Sequence, residues 1–203
     1  MSGGQFPLAI GVIQVLALDI GTDTLPAVAL GAEPPSEHVL ERPPARGRLL
    51  DGTVARRAFG VLGPAEALIE MLAFVLTFVA AGWRPGDTFP TGTTLLAASG
   101  AAFSAVVLGQ MANAFACRSR VRSPFRMGWT GNKFLLVAVA VELLILAAFL
   151  GMPALADLLD HAVPTATGWA VAALAPIAVL AADAIDKRRT RRAIVVGDLA
   201  PPR

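Results

Sequence analysis

Cysteine is almost absent from this sequence, which contains one, Cys117. A single cysteine excludes an internal disulfide and a cysteine-based zinc site, so we expect Cys117 only to pack at the end of an apolar segment. Charged residues are also scarce: they make up 16% of the 203 residues, against 55% hydrophobic ones. This composition is too apolar for an ordinary soluble domain of that length, and it predicts a membrane protein.

The apolar residues are grouped into blocks of about 18 to 24 residues, which suits helices that cross roughly 30 Å of hydrocarbon at 1.5 Å per residue. Five blocks lie at about 9–31, 62–81, 93–115, 134–151 and 166–184. The last contains Pro176, which a packed membrane helix tolerates. We therefore predict an all-α, polytopic bundle with about five transmembrane helices.

Lys and Arg are concentrated in the segments after the first, third and fifth blocks, which hold all of them except Arg84. Short cytoplasmic loops collect Lys and Arg. The pattern predicts a multi-pass protein of the cell membrane with its amino terminus outside, its carboxyl terminus in the cytoplasm, and residues 185–203 as a basic cytoplasmic tail. Because these charges direct topology, they need no nucleic-acid partner.

The first eight residues, MSGGQFPL, lack the basic segment and the small-residue cleavage site of a signal peptide. Nothing near them would drive the amino terminus outward. We therefore expect the first block normally to follow another helix, as in the rear part of a longer polytopic protein.

Two aspartates interrupt the first block within QVLALDIGTDTLPAVALG, residues 14–31. An ionised Asp at the centre of a membrane helix costs about 2.5–3.5 kcal/mol, and Asp19 lies near that centre. Asp19 and Asp23 are one helical turn apart, so their charges repel each other. The pair is tolerable if protons or a cation neutralise it, and such a cation would be held by hard oxygen ligands.

The residues around the aspartates predict a break in the helix. Pro26 has no N–H group, which frees the carbonyl of Thr22, and Gly21 weakens the helix just before it. We expect a locally unwound turn at residues 21–23, exposing carbonyl oxygens, the Thr22 hydroxyl and two carboxylates at mid-membrane, as in ion sites of transporters. The alternative is that both aspartates only fix packing through hydrogen bonds to neighbouring helices.

Three stretches resemble one family. Residues 14–35, QVLALDIGTDTLPAVALGAEPP, with the following RPPAR at 42–46, resemble the sixth transmembrane helix and the next cytoplasmic loop of P-type cation ATPases of the calcium-pump and sodium/potassium-pump class. VLGQMANAF at 107–115 resembles their eighth helix, and SPFRMGWTGNKFLL at 123–136 resembles the loop into their ninth. The resemblance implies that residues 1–203 form the carboxyl-terminal membrane domain, helices six to ten.

By this resemblance, cation ligands map onto Asp19, Thr22, Asp23 and Gln110. For Gln110 an interhelical hydrogen bond is an equal alternative. Calcium pumps usually have Asn at the position of Asp19, whereas sodium/potassium pumps resemble this chain there, so the transported cation is either calcium or monovalent. The other acidic residues in or near the blocks are expected at interfaces or in packing; they are Glu66, Glu70, Glu142 and Asp183.

The sequence lacks DKTGT, the TGES loop, a nucleotide domain and the fourth helix of these pumps. It therefore offers no catalytic or cofactor-binding residues, and ATP and Mg²⁺ would act only through a missing catalytic part. Three alternatives stay open: a portion of a pump that works with the missing amino-terminal half, a free-standing membrane subunit, and an ion carrier that is not an ATPase. The partners predicted are the lipid bilayer and, for the first alternative, that missing half.

Overall fold

The computed structural model describes residues 6–34, 52–119 and 122–198. Within these ranges the chain is helical and has no strand. Five helices are long and apolar enough to cross a membrane, and we call them the first to fifth spans; they are Val12–Gly31, Gly52–Ala80, Thr93–Cys117, Lys133–Gly151 and Ala166–Thr190. The predicted all-α bundle of about five spans is confirmed. The loop that contains Arg42 and Arg46, and the last residues of the basic tail, lie outside the described residues.

The third span is the central helix of the bundle. Over its most apolar 18 residues, 72% of the residues are buried, against 22–33% over the corresponding stretches of the other four spans. Its small residues allow close helix packing. At Gly100 an added Cβ would lie 1.9 Å from the carbonyl oxygen of Ala162, and at Gly168 it would lie 2.8 Å from the Cβ of Ala101. The neighbouring segments therefore approach the third span too closely for larger side chains at these glycines.

The first span stays helical across its two aspartates, so the predicted unwound turn at residues 21–23 is wrong. The helix instead widens into a π-helical turn at Asp19–Asp23 and resumes as an α-helix at Thr24–Gly31. A π-turn bonds each carbonyl to the amide five residues on, so it can accommodate the missing N–H of Pro26 without unwinding. The Thr24 hydroxyl donates to the carbonyl oxygen of Asp19 at 3.1 Å within this turn.

Two other spans are also irregular. The second span contains a π-helical turn at Ala58–Leu62, before its long α-helix Gly63–Ala80. In the fifth span a short helix, Ala166–Ala172, precedes the helix Ala175–Asp198. The interruption falls just before Pro176, and the second helix extends into the predicted basic tail.

Buried charges join three spans at the Cys117 end of the third span. Arg57 of the second span pairs with Asp183 of the fifth. Lys187 lies 2.8 Å from the Oδ2 atom of Asp183 and donates to the carbonyl oxygen of Ala116 at 2.9 Å. Asp183, for which the sequence predicts an interfacial or packing role, thus has its charge compensated between helices. The side chain of Cys117 itself is exposed rather than packed, contrary to expectation.

A second polar cluster ties the same end of the first span to the third and fourth spans. Arg118 contacts the carboxylate of Glu33 at 2.8 Å, and Asn132 donates to Glu33 and to the carbonyl of Ala29, each at 2.8 Å. Partial burial disfavours ionisation of Glu33, but the hydrogen bonds from Arg118 and Asn132 outweigh it and hold the pKa of this carboxyl below its ordinary value.

The segment 152–165 folds back against the opposite end of the third span. Asp160 has a φ of 52°, a left-handed conformation that ends the helix Pro153–Leu158. His161 is then buried, with its ring centroid 5.2 Å from that of Phe103, and the amide of Ala162 donates to the carbonyl of Leu96 at 3.0 Å.

Candidate cation site

The wide turn of the first span directs Thr22 into the bundle. Its side chain is fully buried, and its hydroxyl oxygen lies 2.8 Å from the carbonyl oxygen of Leu18 and 3.2 Å from Oε1 of Gln110 on the third span. The hydroxyl has one proton, which it can donate to either acceptor. Two of the four residues predicted as ligands are therefore in direct contact.

Asp23 and Gln110 line one wall each of a cleft of about 370 Å³ between the first, second and third spans. The polar residues that line it are Asp23, Glu66, Gln110, Asn113 and Cys117, and the apolar ones are Pro26, Ala27, Leu30 and Ala114. The cleft thus brings two carboxylates and two side-chain amides together among apolar residues. Carboxylate and amide oxygens are the ligands that hard cations prefer.

Asp19 does not line this cleft. Its side chain is exposed on the first span, one turn before Asp23, and the charges of the two aspartates interact. The structure therefore brings Thr22, Asp23 and Gln110 together and leaves Asp19 at the edge of the group.

The cleft is not a complete metal site formed by this chain. Among the described residues, no group of three or more His, Cys, Asp or Glu side chains is arranged to hold a metal ion. A hard cation takes six or more oxygen ligands. A cation bound at Asp23 would therefore need ligands from amides, hydroxyls and carbonyls, and from groups outside the described residues.

The structure places two further polar residues near the site for which the sequence predicts no role in cation binding. Asn113 lines the cleft, and its sequence signal is an amide three residues after Gln110 in an apolar block, which lies on the same helix face. For Glu142 of the fourth span the sequence predicts an interfacial or packing role. It is fully buried, neither carboxylate oxygen has a hydrogen-bond partner in the described part of the chain, and its charge interacts with that of Asp23.

Comparison with known proteins agrees with the family resemblance of the sequence motifs. A family model described as "Cation transporting ATPase, C-terminus" matches residues 7–189. Calcium-transporting ATPase 1 of Bacillus cereus is 30% identical over 185 residues, which cover 86% of this chain and 20% of that protein. The sodium/potassium-transporting ATPase subunit alpha-4 of Rattus norvegicus is 25% identical over 204 residues, which cover 87% of this chain and 20% of the relative.

A third relative, calcium-transporting ATPase type 2C member 2 of Mus musculus, is 31% identical over 146 residues, covering 69% of this chain and 14% of its own length. The chain thus spans about a fifth, or less, of the length of these relatives. The family match extends from before the first span to the end of the fifth, and includes the wide turn and Gln110. This chain therefore belongs to the carboxyl-terminal membrane-domain family of the cation-transporting ATPases.

Proposed function

We propose that this chain contributes Asp19, Thr22, Asp23 and Gln110 to the intramembrane cation site of an ATP-driven cation pump. Helices outside this chain complete the site, and a separate catalytic part binds ATP and Mg²⁺ and undergoes phosphorylation. The transported ion is calcium or a monovalent cation, since relatives of both names are similar to this chain.

The observation that carries this proposal is the contact between Thr22 and Gln110 beside the cleft that Asp23 lines. Carboxylates that only fixed packing would be expected to hydrogen-bond to neighbouring helices. Asp23 instead borders open space together with other oxygen-bearing side chains. An anionic, oxygen-lined cleft at membrane depth favours a cation as its occupant.

The proposal includes an orientation. The amino terminus lies outside the cell and the carboxyl terminus in the cytoplasm, as the distribution of Lys and Arg indicates. The Cys117 end of the third span is then cytoplasmic, and the partner that supplies the remaining ligands is the amino-terminal part of the pump.

The experiment is cation-dependent phosphorylation of an assembled pump. This chain replaces the matching segment of the Bacillus cereus relative, and phosphorylation by radiolabelled ATP is measured against the concentrations of calcium and sodium. We expect Asp23→Asn to raise the half-saturating cation concentration by about tenfold or more, because one ligand charge is lost while the shape is kept. Asp87→Asn, in an exposed turn, is the control and should leave the cation dependence unchanged.

Unchanged cation dependence in both Asp19→Asn and Asp23→Asn would make the two aspartates packing residues. Cation flux into vesicles that contain only this chain, without ATP, would instead favour an independent carrier.

A further inference from the structure

Glu66 of the second span is a carboxylate that the proposed function does not use. Its Oε1 atom is sealed from solvent and has no hydrogen-bond partner among the described residues. Its side chain packs over the third span at Gly109, where an added Cβ would lie 3.5 Å from the Cγ of Glu66. Gly109 directly precedes Gln110, so Glu66 is held beside a residue of the proposed cation site.

Glu66 also lies where two clefts meet. It lines the cleft that contains Asp23 and Gln110, and it lines a second cleft of about 230 Å³ that extends past Gly63 and Leu62 to Arg57. Asn113 and Cys117 border both clefts as well. A cation that moves from the Arg57 end towards Asp23 would meet the carboxylate of Glu66 first. Arg57 does not oppose it with a free charge, because Asp183 compensates its guanidinium.

The fourth span brings a further carboxylate close enough to Asp23 for their charges to interact. Glu142, on the fourth span, is fully buried with both oxygens unpartnered in the described part of the chain, and it interacts electrostatically with Asp23. The charge of Glu66 interacts with that of Asp23 too. Carboxylates on three different spans therefore repel one another through Asp23, and removing that repulsion requires a cation or protons.

We propose that Glu66 is a further ligand of the transported cation, bound from the wall of the cleft that the second span forms. This inference rests on the proposed function. It assigns the second span to the cation site and gives the neutral amide of Gln110 an anionic neighbour.

The test uses the assembled pump described above and compares Glu66→Gln with Glu70→Gln. Glu70 is the matched control, because it lies one turn further along the same helix, has a carboxyl group of the same kind, and does not line the cleft. We expect Glu66→Gln to raise the half-saturating cation concentration about tenfold, since an amide keeps the oxygen and loses the charge. The Glu70→Gln pump should match the parent. A packing role for Glu66 predicts no change, because Gln fills the same volume.

A second measurement needs no variant. A hydrophobic carbodiimide, which modifies protonated carboxyl groups within membranes, is applied to the parent pump with and without saturating calcium or sodium, and the modified residues are identified by mass spectrometry. We expect the cation to protect Glu66 and to leave the modification of Glu70 unchanged. If the Glu66→Gln pump does not assemble, this measurement tests whether Glu66 binds the cation.

The outcomes separate the two proposals. The role of Glu66 would be overturned if Asp23→Asn weakens cation binding but Glu66→Gln has a normal cation dependence. The same holds if the cation does not protect Glu66 from the carbodiimide. Either result would leave the proposed function intact. Normal cation dependence in both Asp23→Asn and Asp19→Asn would overturn the proposed function, and the role of Glu66 with it.

Discussion

Thr22 shows how one hydroxyl connects the backbone of the first span to the third. It lies within hydrogen-bond distance of the Leu18 carbonyl and of Gln110. The bond to its own helix is local, whereas the contact with Gln110 joins residues 88 positions apart. Each buried hydrogen bond contributes about 0.5–1.5 kcal/mol net, so the interhelical contact helps fix the position of the wide turn.

A double-mutant cycle tests that contact. Thr22→Val keeps the shape and removes the hydroxyl, and Gln110→Leu removes its acceptor. Because both variants break one hydrogen bond, we expect each to lower the free energy of unfolding of the full chain in detergent by about 1 kcal/mol, and the double variant to lose little more. Thr22→Ser, which keeps the hydroxyl, is the control. Fully additive losses would show that the two side chains do not interact.

At the scale of an element, the third span combines small and polar residues so that other segments pack close to it. Its tightest approach is at Gly100, under the segment 152–165. Gly109, on the same helix, has ordinary van der Waals spacing around an added Cβ, with the nearest atom at 3.5 Å. Only Gly100 is therefore required for a close backbone approach, although in the sequence both glycines are small residues of the same apolar helix.

We predict opposite results for alanine at these two glycines. Gly100→Ala should destabilise the chain by about 1–3 kcal/mol, because its Cβ would overlap the carbonyl of Ala162 and displace backbone. Gly109→Ala should be neutral or stabilising by up to about 1 kcal/mol, because alanine favours the helix. Thermal unfolding of both variants in detergent measures the difference. Equal stability of the two would contradict the close contact at Gly100.

The segment 152–165 also holds a buried base. His161 is 3% exposed, and neither ring nitrogen has a hydrogen-bond partner among the described residues. Burial lowers the pKa of His161 from its ordinary value, although the neighbouring Asp160 opposes the shift. The folded chain therefore holds the neutral imidazole, while the unfolded chain binds a proton near its ordinary pKa of about 6.5.

The resulting pH dependence has a definite sign. Above about pH 6.5 both states are neutral at His161, and below it the unfolded state gains a proton first, so stability falls as the pH falls, by at most about 1.4 kcal/mol per pH unit. The fall ends once the pH drops below the pKa in the folded chain. We expect the parent chain to show this component in unfolding measured from pH 7.5 to 5, and His161→Phe to abolish it. A slope that persists in His161→Phe would assign it to another group.

At the scale of the whole molecule, the chain presents surfaces that suit two different neighbours. The first and fourth spans expose large apolar side chains such as Val12, Ile20 and Leu144, which suit lipid tails or further helices. Asp19 is exposed on the first span as well, and a charge is costly against lipid. This face of the first span is thus where we expect the remaining helices of the proposed pump to pack.

Thiol labelling in intact cells tests the proposed orientation. In a Cys117→Ser background, cysteine at Thr88, in the turn after the second span, should react with an impermeant reagent, because the proposed orientation places that turn outside the cell. Cysteines at Ser36 and Thr190 should react only after permeabilisation. Thr88 is preferred to Gly86, whose φ of 107° strains any other residue. Labelling of all three cysteines from outside would contradict the five-span topology.

The sequence by itself determined the number of spans, the family, and the unusual pair of aspartates. These features depend on hydropathy along one segment and on short motifs, which are local properties of the chain. It did not determine how the helix accommodates Pro26. A freed carbonyl can be exposed by unwinding or retained by a wider turn. In the structure the wider turn lies against the third and fourth spans, where Thr22 meets Gln110 and Gly21 faces Phe149.

Only the tertiary structure decided which polar side chains meet. Thr22 and Gln110 are far apart in sequence and touch, Asp19 lies outside the cleft, and Glu66 and Asn113 line it beside Asp23. That Asp19, Thr22, Asp23 and Gln110 bind a cation stays a prediction. Helical periodicity gives the face on which a residue lies, but the rotation of each helix about its axis depends on how whole surfaces fit together. In this chain small residues of the third span let neighbouring segments pack closely against it, and polar residues of the first, second and third spans face one cleft.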